Sequence, residues 1–344
     1  MKKRKLLIFL FISVVIIEGV YLYFSFLQKK ETGARAFEEQ DVTLIPLSGP
    51  LTKKRAEVSG LAWFGDNLIF LPQYPDFVKD SGDGFLFYLP KDEILAYLDG
   101  TSRAELEPRP IPLTAVGLAH LVHGYQGLES IGFSGTRVFL TIEAGKKNNM
   151  QGYLISGVIA PDLSGITLDT TKLALISPQA NYENRSDESI LVFDDKVVTF
   201  YEANGKGIVA EPVAHVFDFD LNPLGTIPMP NLEYRLTDTA LSSEDEFWGI
   251  NYFPPSNDEL IPTSDPISSM YGIGKSHTQY PQVERLVKFI FSEDGITLAD
   301  SAPIPFVLTE DARNWEGLAI LDDRGFLLVT DDHPDTLFGF VPLP

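Results

Sequence analysis

Alternating apolar and polar runs divide most of the chain into short strands joined by polar turns. Near the C-terminus, apolar residues 315–321 are followed by a polar turn and then by apolar residues 326–330. Two apolar runs that flank such a turn predict a β-hairpin. The same pattern recurs earlier in the chain, at residues 59–71, 129–141, 188–200 and 238–250. The chain is therefore predicted to contain five repeats of one β-hairpin.

Repeats of this length that are built from strands are typical of the blades of a β-propeller. A third strand follows the first hairpin at residues 84–89, and a proline-containing fourth strand follows at residues 110–113. Proline is tolerated in an edge strand because no neighbouring strand needs its missing N–H group. The last repeat lacks a fourth strand, and residues 42–47 are predicted to supply it and to close the ring. The sequence thus predicts an all-β propeller over residues 41–344 with five blades, and the long interval between the last two hairpins leaves a sixth blade open.

The first forty residues have a different character. A basic tail, residues 1–5, precedes 22 mostly apolar residues, 6–27, and a polar linker follows at residues 28–40. An apolar run of this length fits one membrane-spanning helix, and the basic tail predicts a cytoplasmic N-terminus. A cleaved signal peptide is the alternative, although no small-x-small cleavage site follows the apolar run. We therefore expect a signal anchor in the cell membrane with an extracytoplasmic propeller, or a secreted propeller if the segment is cleaved.

Composition limits the chemistry of the domain. The 344-residue chain has no cysteine, which excludes disulfides and thiolate metal sites. Its formal net charge is −21 at pH 7, which disfavours binding to nucleic acid. The sequence does not predict an oligomeric state.

Acidic residues recur at one end of the predicted hairpins. In each hairpin the first residue of one strand and the last residue of the next are equally far from the turn, so they are predicted to lie opposite one another. The first strand of a propeller blade lines the central channel, and these residues should therefore meet at one rim. The set contains seven carboxylates: Glu129, Glu143, Glu188, Glu202, Asp238, Glu316 and Asp331. Ser59 and Gln73 occupy the two positions in the first hairpin.

So many like charges at one rim require compensation by a cation or by basic side chains. Carboxylate oxygens without histidine or cysteine favour Ca²⁺, which takes about 6–8 oxygen ligands. Ca²⁺ is therefore the expected cofactor. The predicted metal ligands are the residues of the channel-lining strands: Glu129, Glu188, Asp238 and Glu316.

Basic residues lie shortly before the acidic position in most repeats. Arginine binds carboxylate and phosphate groups bidentately, so Arg185, Arg235 and Arg313 are predicted to hold a small anionic ligand. The alternative is that these arginines only neutralise the neighbouring glutamates. Histidine is a common acid or base, and one histidine falls at the predicted rim. The candidate catalytic residues are Glu202, Asp331 and His333, with a simple polar loop residue as the alternative for His333.

Residues 314–319, Asn-Trp-Glu-Gly-Leu-Ala, together with residues 326–332 resemble the closing motif of the phytase-like propeller family (esterase-like activity of phytase). The arrangement more distantly resembles the five-bladed, calcium-activated apyrases. The resemblance implies an exported propeller with a central Ca²⁺ that hydrolyses phosphate esters, with the metal polarising the phosphoryl oxygen. The alternative is a non-catalytic binding scaffold with a structural calcium, because propellers host many unrelated functions. A long insertion at residues 253–282 would favour the scaffold if it plugged the rim.

Overall fold

The computed structural model describes residues 38–78, 82–147, 149–292, 294–331 and 335–344. The predicted tail, apolar segment and most of the linker lie outside these residues, so the membrane anchor stays a prediction. None of the helices in the described ranges is long and apolar enough to cross a membrane.

Five blades of antiparallel strands form the fold. The first strand of the chain is β1 (Thr43–Leu44). Blade 1 contains β2 (Val58–Phe64), β3 (Asn67–Pro72), β4 (Phe85–Pro90) and β5 (Arg109–Thr114). Blade 2 contains β6 (Tyr125–Ser134), β7 (Arg137–Lys146), β8 (Asn149–Ile159) and β9 (Ile166–Ile176). Blade 3 contains β10 (Asp187–Phe193), β11 (Lys196–Tyr201), β12 (Val213–Asp218) and β13 (Pro223–Pro228). Blade 4 contains β14 (Arg235–Leu241), β15 (Glu246–Phe253), β16 (Val283–Ser292) and β17 (Gly295–Leu298), and β18 (Ile304–Pro305) also pairs with β16. Blade 5 contains β19 (Trp315–Leu321), β20 (Gly325–Thr330) and β21 (Phe338–Pro342).

Short helices occur in the loops between strands of the described chain. The α-helices are α1 (Lys91–Leu98), α2 (Leu118–Leu121) and α3 (Pro266–Tyr271). Single 3-10 turns occur at Pro50–Thr52, Pro75–Phe77, Asp258–Leu260 and Ser276–Thr278. The last two turns and α3 lie in the long insertion between β15 and β16.

The N-terminal strand completes the last blade. β1 pairs antiparallel with β21, with Thr43 opposite Phe340 and Leu44 opposite Gly339. Each inner strand also packs against the inner strands of the two neighbouring blades, so that β19 contacts both β14 and β2. The predicted five-bladed propeller, closed by an N-terminal strand, is therefore confirmed for the described chain.

Apolar side chains fill the spaces between adjacent blades. At the junction of blades 5 and 1, the rings of Phe70 and Phe338 meet edge to face with 5.2 Å between their centroids. Ile45, the residue that follows β1, packs in the same cluster and is only 2% exposed. Each such side chain contributes about 1.5–3 kcal/mol when fully buried. The packing between blades makes the ring a rigid frame for the polar residues at its axis.

Candidate functional site

A β-bulge interrupts the inner strand of each blade near its start. In β6 the pairing jumps from Leu128 opposite Ile142 to Ser130 opposite Thr141, which leaves Glu129 as an extra residue. The corresponding extra residues in β2, β10 and β19 are Ser59, Glu188 and Glu316. A bulge bends the strand and re-aims the side chain that it carries. The bulges thus gather side chains from several blades at one end of the channel.

The bulges also change the predicted cross-strand partners. Glu143 lies opposite Gly127 instead of Glu129, and Thr330 lies opposite Trp315 while Glu316 has no directly opposed partner. Counting residues from the turn assumes an unbroken ladder, and one extra residue shifts the register on one side of it. The predicted pairing was therefore wrong, although the paired residues still lie at the same end of their blades.

We call the resulting cluster the acidic chamber. Most of its side chains are buried: Glu202 is 0% exposed, Glu143 is 1% exposed and Glu188 is 7% exposed. Gln73 from blade 1 borders it and donates a hydrogen bond to Glu129 Oε1 at 3.1 Å. The chamber consists of Glu129, Glu143, Glu188, Glu202, Glu316, Asp331, Arg185 and Arg235.

Arg235 lies at the centre of the chamber. Its Nη2 donates to Glu188 Oε2 at 3.0 Å and to Glu316 Oε1 at 3.1 Å, and its Nε donates to Glu202. Its Nη1 donates to Asn314 Oδ1 at 3.1 Å. Arg235 is the first residue of β14, so the strand delivers its side chain to carboxylates from blades 3 and 5. Every nitrogen of this guanidinium therefore has an acceptor.

Arg185 lies at the outer side of the chamber. Its Nη1 donates to the Asn184 carbonyl at 2.6 Å and to Glu202 Oε1 at 3.3 Å, and its Nη2 is 3.5 Å from Glu259 of the insertion. Burial alone would raise the pKa of Glu202, but Arg185 and Arg235 outweigh it and hold that pKa below its usual value. Glu202 is therefore an ionised carboxylate held by two arginines.

Glu143 differs from Glu188, Glu202 and Glu316 because neither chamber arginine forms an ion pair with it in the described chain. Burial, reinforced by the charge of Glu202, raises the pKa of Glu143 to about 8. Its Oε2 atom is buried and has no hydrogen-bond partner among the described residues. Burial and neighbouring carboxylates also raise the pKa values of Glu129 and Glu188 well above the usual value. One carboxylate oxygen each of Glu143, Glu188 and Glu202 lies within 4.8 Å of the others, and their charges can be offset by Arg185 and Arg235, by protonation or by a bound cation.

Asp238, a predicted metal ligand, occupies a different place. Its Oδ2 accepts the Leu318 N–H at 2.7 Å and its Oδ1 accepts the Thr239 N–H at 2.8 Å, and the Leu61 N–H is a third donor. These donors belong to three inner strands, so the carboxylate ties blades 4, 5 and 1 together at the axis. The bulge in β14 contains two residues, Thr237 and Asp238, and it is Thr237 that takes the position of Glu316. Burial and the charge of nearby Glu316 raise the pKa of Asp238, while its oxygens are already engaged by backbone donors, so its role as a metal ligand stays a prediction.

Arg313, a predicted anion-binding residue, also lies apart from the chamber. Its backbone N–H and its Nε each donate to Glu284 at 2.9 Å, and Trp315 Nε1 donates to the same carboxylate at 2.9 Å. Glu284 is completely buried. This ion pair joins β16 to the start of β19 and leaves Arg313 separate from Arg185 and Arg235.

The remaining predicted catalytic residues are placed as follows. Asp331 accepts a hydrogen bond from Asn314 Nδ2 at 3.3 Å at the chamber's edge. Glu202 is fully buried in the chamber, where it contacts Arg185 and Arg235. His333 lies outside the described residues. Asn314, which the sequence analysis did not single out, also donates to Glu316 Oε1 at 2.6 Å. The sequence feature that could have identified Asn314 as a site residue is its position directly before the Trp-Glu-Gly segment.

A pocket of about 570 Å³ opens beside the two arginines, and we call it the mouth pocket. The insertion after β15 forms one of its walls. Its lining residues are Asn184, Arg185, Arg235, Tyr252, Pro254, Pro255, Ser256, Asn257, Asp311, Ala312 and Asn314. Further along the inner strands, a cavity of about 230 Å³ is lined mainly by apolar residues such as Leu61, Ile131 and Leu191. The polar chemistry of the channel is therefore concentrated at one end.

Comparison with known proteins gives structural neighbours but no family. No family model matches the chain, and no curated protein matches it. A mutant α-L-arabinanase from Cellvibrio cellulosa shows 10% identity and a TM-score of 0.45 over 88% of this chain and 91% of that chain. An exo-β-1,3-galactanase from Phanerochaete chrysosporium shows 8% identity and a TM-score of 0.48 over 89% of this chain and 65% of that chain. A GH43_1 enzyme from Xanthomonas citri shows 9% identity and a TM-score of 0.46 over 87% of this chain and 90% of that chain.

These comparisons correct the expected family. The neighbours named above are glycoside hydrolases, and none is a phytase or an apyrase. The predicted resemblance to the phytase-like family and to the apyrases was therefore wrong, and phosphate-ester hydrolysis is not retained. The misleading segment has a structural explanation. Glu316 is a bulge residue, and a Cβ atom on Gly317 would lie 2.5 Å from Val329 on the next strand and 2.8 Å from Leu61 in blade 1, so the glycine is explained by close packing.

Proposed function

We propose that this protein binds a divalent cation, Ca²⁺, in the acidic chamber of its propeller. The observation that carries the proposal is the approach of Glu143, Glu188 and Glu202 to within 4.8 Å of one another in a buried site. Six chamber carboxylates share the two arginines, Arg185 and Arg235, which leaves an excess of negative charge. A donor set made only of oxygen atoms suits Ca²⁺ in preference to Zn²⁺ or Cu²⁺.

The chamber carboxylates differ in how freely their oxygens could bind a cation. Glu143 offers a buried oxygen without a hydrogen-bond partner in the described chain, and Glu188 lies beside it. Glu202 is less suited because both arginines bind it. Glu129 and Glu316 border the same space, and each carries a pKa raised first by burial. We therefore propose Glu143 and Glu188 as the central ligands, with Glu129 and Glu316 beside them.

Calorimetric titration of the chelator-treated protein with Ca²⁺ tests this proposal. We expect one saturable binding event, which Glu188→Gln weakens because it removes a ligand charge with little change in shape. Glu244→Gln, an exposed residue in the β14–β15 turn, is the matched control and should leave binding unchanged. Saturating Ca²⁺ should also raise the free energy of unfolding, by about 2.7 kcal/mol at ~100 times the dissociation constant. Absence of Ca²⁺ binding at pH 7 would contradict the proposal.

Hydrolysis of a glycoside is a second candidate function. Glu188 and Glu316 both lie within 3.1 Å of Arg235 Nη2, and their side chains are 10% and 13% exposed, whereas that of Glu202 is 0% exposed. Glycosidases use a pair of carboxyl groups, about 5–5.5 Å apart in retaining enzymes and about 6.5–9.5 Å apart in inverting enzymes. Arg235, which donates hydrogen bonds to both carboxylates, also lines the mouth pocket.

Release of p-nitrophenol from aryl α-L-arabinofuranosides, β-D-galactosides and β-D-xylosides tests this second candidate. We expect turnover by the wild-type protein and a loss of about 10²-fold or more in Glu188→Gln and Glu316→Gln, the usual size of an acid–base contribution. Wild-type protein that binds Ca²⁺ but releases no nitrophenol would contradict the hydrolase and leave a binding propeller with a structural calcium.

A further inference from the structure

The mouth pocket contains polar atoms that the fold does not use. Arg185 Nε and Asn257 Oδ1 are buried and have no hydrogen-bond partner among the described residues. Arg185 is 6% exposed as a residue. Asn257 belongs to the insertion after β15, where its backbone N–H donates to the Pro254 carbonyl and so fixes the loop. A hydrogen-bond donor and a hydrogen-bond acceptor are therefore left over in the wall of one pocket.

The charges around the pocket disfavour an anionic ligand. Arg235 already binds Glu188, Glu202 and Glu316, and Arg185 already lies against Glu202 and Glu259. An anion would meet only the single spare N–H group of Arg185 and would approach the excess carboxylates of the chamber. An organic cation would instead meet two buried arginines. The ligand that fits this balance carries no net charge.

We infer that the mouth pocket binds a neutral polyhydroxylated ligand, that is, a sugar. A hydroxyl group both donates and accepts hydrogen bonds, so one ligand hydroxyl or two neighbouring ones can engage the spare donor and the spare acceptor. Asn184 and Ser256 add groups of the same dual character to the lining. Pro254 and Pro255 supply an apolar wall against which the C–H groups of a sugar ring can pack. The volume of about 570 Å³ lies within the usual range for small-molecule sites.

A sugar is also the kind of substrate that the second candidate function requires. Binding of a sugar to the mouth pocket does not depend on that function, and only cleavage of a glycosidic bond rests on it. Binding is measured separately from hydrolysis. A protein that binds sugars without hydrolysing glycosides therefore supports the pocket and contradicts the hydrolase. Hydrolysis of aryl glycosides that D-galactose and D-xylose both fail to inhibit would count against the pocket.

Saturation-transfer difference NMR and calorimetry on the Ca²⁺-loaded protein provide the test. The neutral probes are D-galactose, D-xylose and D-mannose, and the charged probes are D-galacturonate and inorganic phosphate. D-galacturonate differs from D-galactose by a carboxylate in place of a hydroxymethyl group, so the pair isolates the effect of ligand charge. We expect at least one neutral sugar to bind and D-galacturonate to bind more weakly than D-galactose. Tighter binding of D-galacturonate or phosphate, or no binding of any neutral sugar, would overturn the inference.

Variants locate the binding to the pocket. Asn257→Leu removes the spare acceptor without breaking a side-chain hydrogen bond recorded within the described chain, and it should weaken sugar binding about tenfold. Ser256→Ala is a second, smaller change with the same expected direction. Asn67→Leu, at the first residue of β3 and outside the lining of the mouth pocket, is the matched control and should bind normally. Equal binding by Asn257→Leu, Ser256→Ala and Asn67→Leu, at unchanged melting temperatures, would place the sugar elsewhere and contradict the inference.

Discussion

At the scale of single residues, neighbouring positions of one bulge have separate roles. Thr237 takes the bulge position in β14, and its hydroxyl donates to the Trp315 carbonyl at 2.7 Å, as the Ser59 hydroxyl donates to the Leu128 carbonyl at 2.7 Å. Asp238, the next residue, accepts backbone N–H groups from three blades. Where the bulge residue is a glutamate, its carboxylate instead joins the acidic chamber. A hydroxyl therefore ties adjacent blades together where a carboxylate would add charge.

Asp238→Asn tests the structural role of this residue. The amide keeps one acceptor oxygen but turns an N–H group toward backbone donors, so we expect the free energy of unfolding to fall by about 1–3 kcal/mol. Urea denaturation measures the change, with Asp66→Asn as the control because the Asp66 side chain is 90% exposed. Unchanged stability together with weakened Ca²⁺ binding would show instead that Asp238 is a metal ligand.

His215 gives blade 3 a pH-dependent contact. Its Nδ1 lies 2.9 Å from Asp187 Oδ2, and Thr199 Oγ1 donates to the same oxygen at 2.6 Å. Burial alone would lower the pKa of His215, but the hydrogen bond and charge of Asp187 raise it above the usual value. A pKa raised in the folded state stabilises the fold below the unfolded pKa and loses that contribution as the pH rises through the folded pKa.

We therefore expect the stability advantage of wild-type protein over His215→Gln to be larger at about pH 6 than at about pH 9. Urea unfolding curves of both proteins at the two pH values measure this difference. An advantage that is constant or that grows toward high pH would mean that the His215–Asp187 contact does not depend on protonation of the imidazole.

At the scale of elements, the N-terminal segment does more than add a strand. Gln40 exchanges backbone hydrogen bonds with Pro305 and Val307 beside blade 4, while β1 pairs with β21 in blade 5. Leu106, in the segment between α1 and β5, donates its backbone N–H to the Pro46 carbonyl and accepts from the Ser48 N–H. Residues 40–48 therefore join three blades across the closure of the ring.

Two adjacent side chains test this closure. Ile45 is 2% exposed and packs between blades 5 and 1, whereas Leu44 is 49% exposed. We expect Ile45→Ala to lower the free energy of unfolding by about 2–5 kcal/mol, as large-to-small changes in a core do. Leu44→Ala should change it by no more than about 0.5 kcal/mol. Similar effects of the two substitutions in urea denaturation would argue against closure through this segment.

The hairpins and blades could be predicted because a strand and its turn are local features of the sequence. The closing strand could also be predicted, because the last repeat visibly lacked its fourth strand. The bulges could not, since an extra residue such as Glu129 leaves the apolar pattern around it intact and is defined only by the partner strand. For the same reason Asp238 appeared equivalent to Glu316, and Arg313 appeared equivalent to Arg235. The buried partner that separates Arg313 from the chamber, Glu284, lies outside every hairpin repeat.

At the scale of the whole molecule, the channel has one acidic end and one largely apolar end. Residues 6–27 remain the proposed membrane anchor, with the basic tail holding the N-terminus in the cytoplasm. A reporter enzyme fused after Pro344 should therefore be active only outside the cytoplasm. Activity confined to the cytoplasm would contradict the proposed orientation and place the acidic chamber in a compartment where free Ca²⁺ is scarce.

X-ray diffraction from crystals grown with saturating Ca²⁺ would show a cation in the acidic chamber. We expect one anomalous-scattering peak in the chamber, with carboxylate oxygens of Glu143 and Glu188 at about 2.3–2.6 Å, the usual Ca²⁺–oxygen distance. Crystals grown with chelator should lack the peak. A chamber in which Arg235 alone bridges Glu188, Glu202 and Glu316 under both conditions, without a peak, would contradict the proposed cation site and show that the arginines hold the carboxylates together.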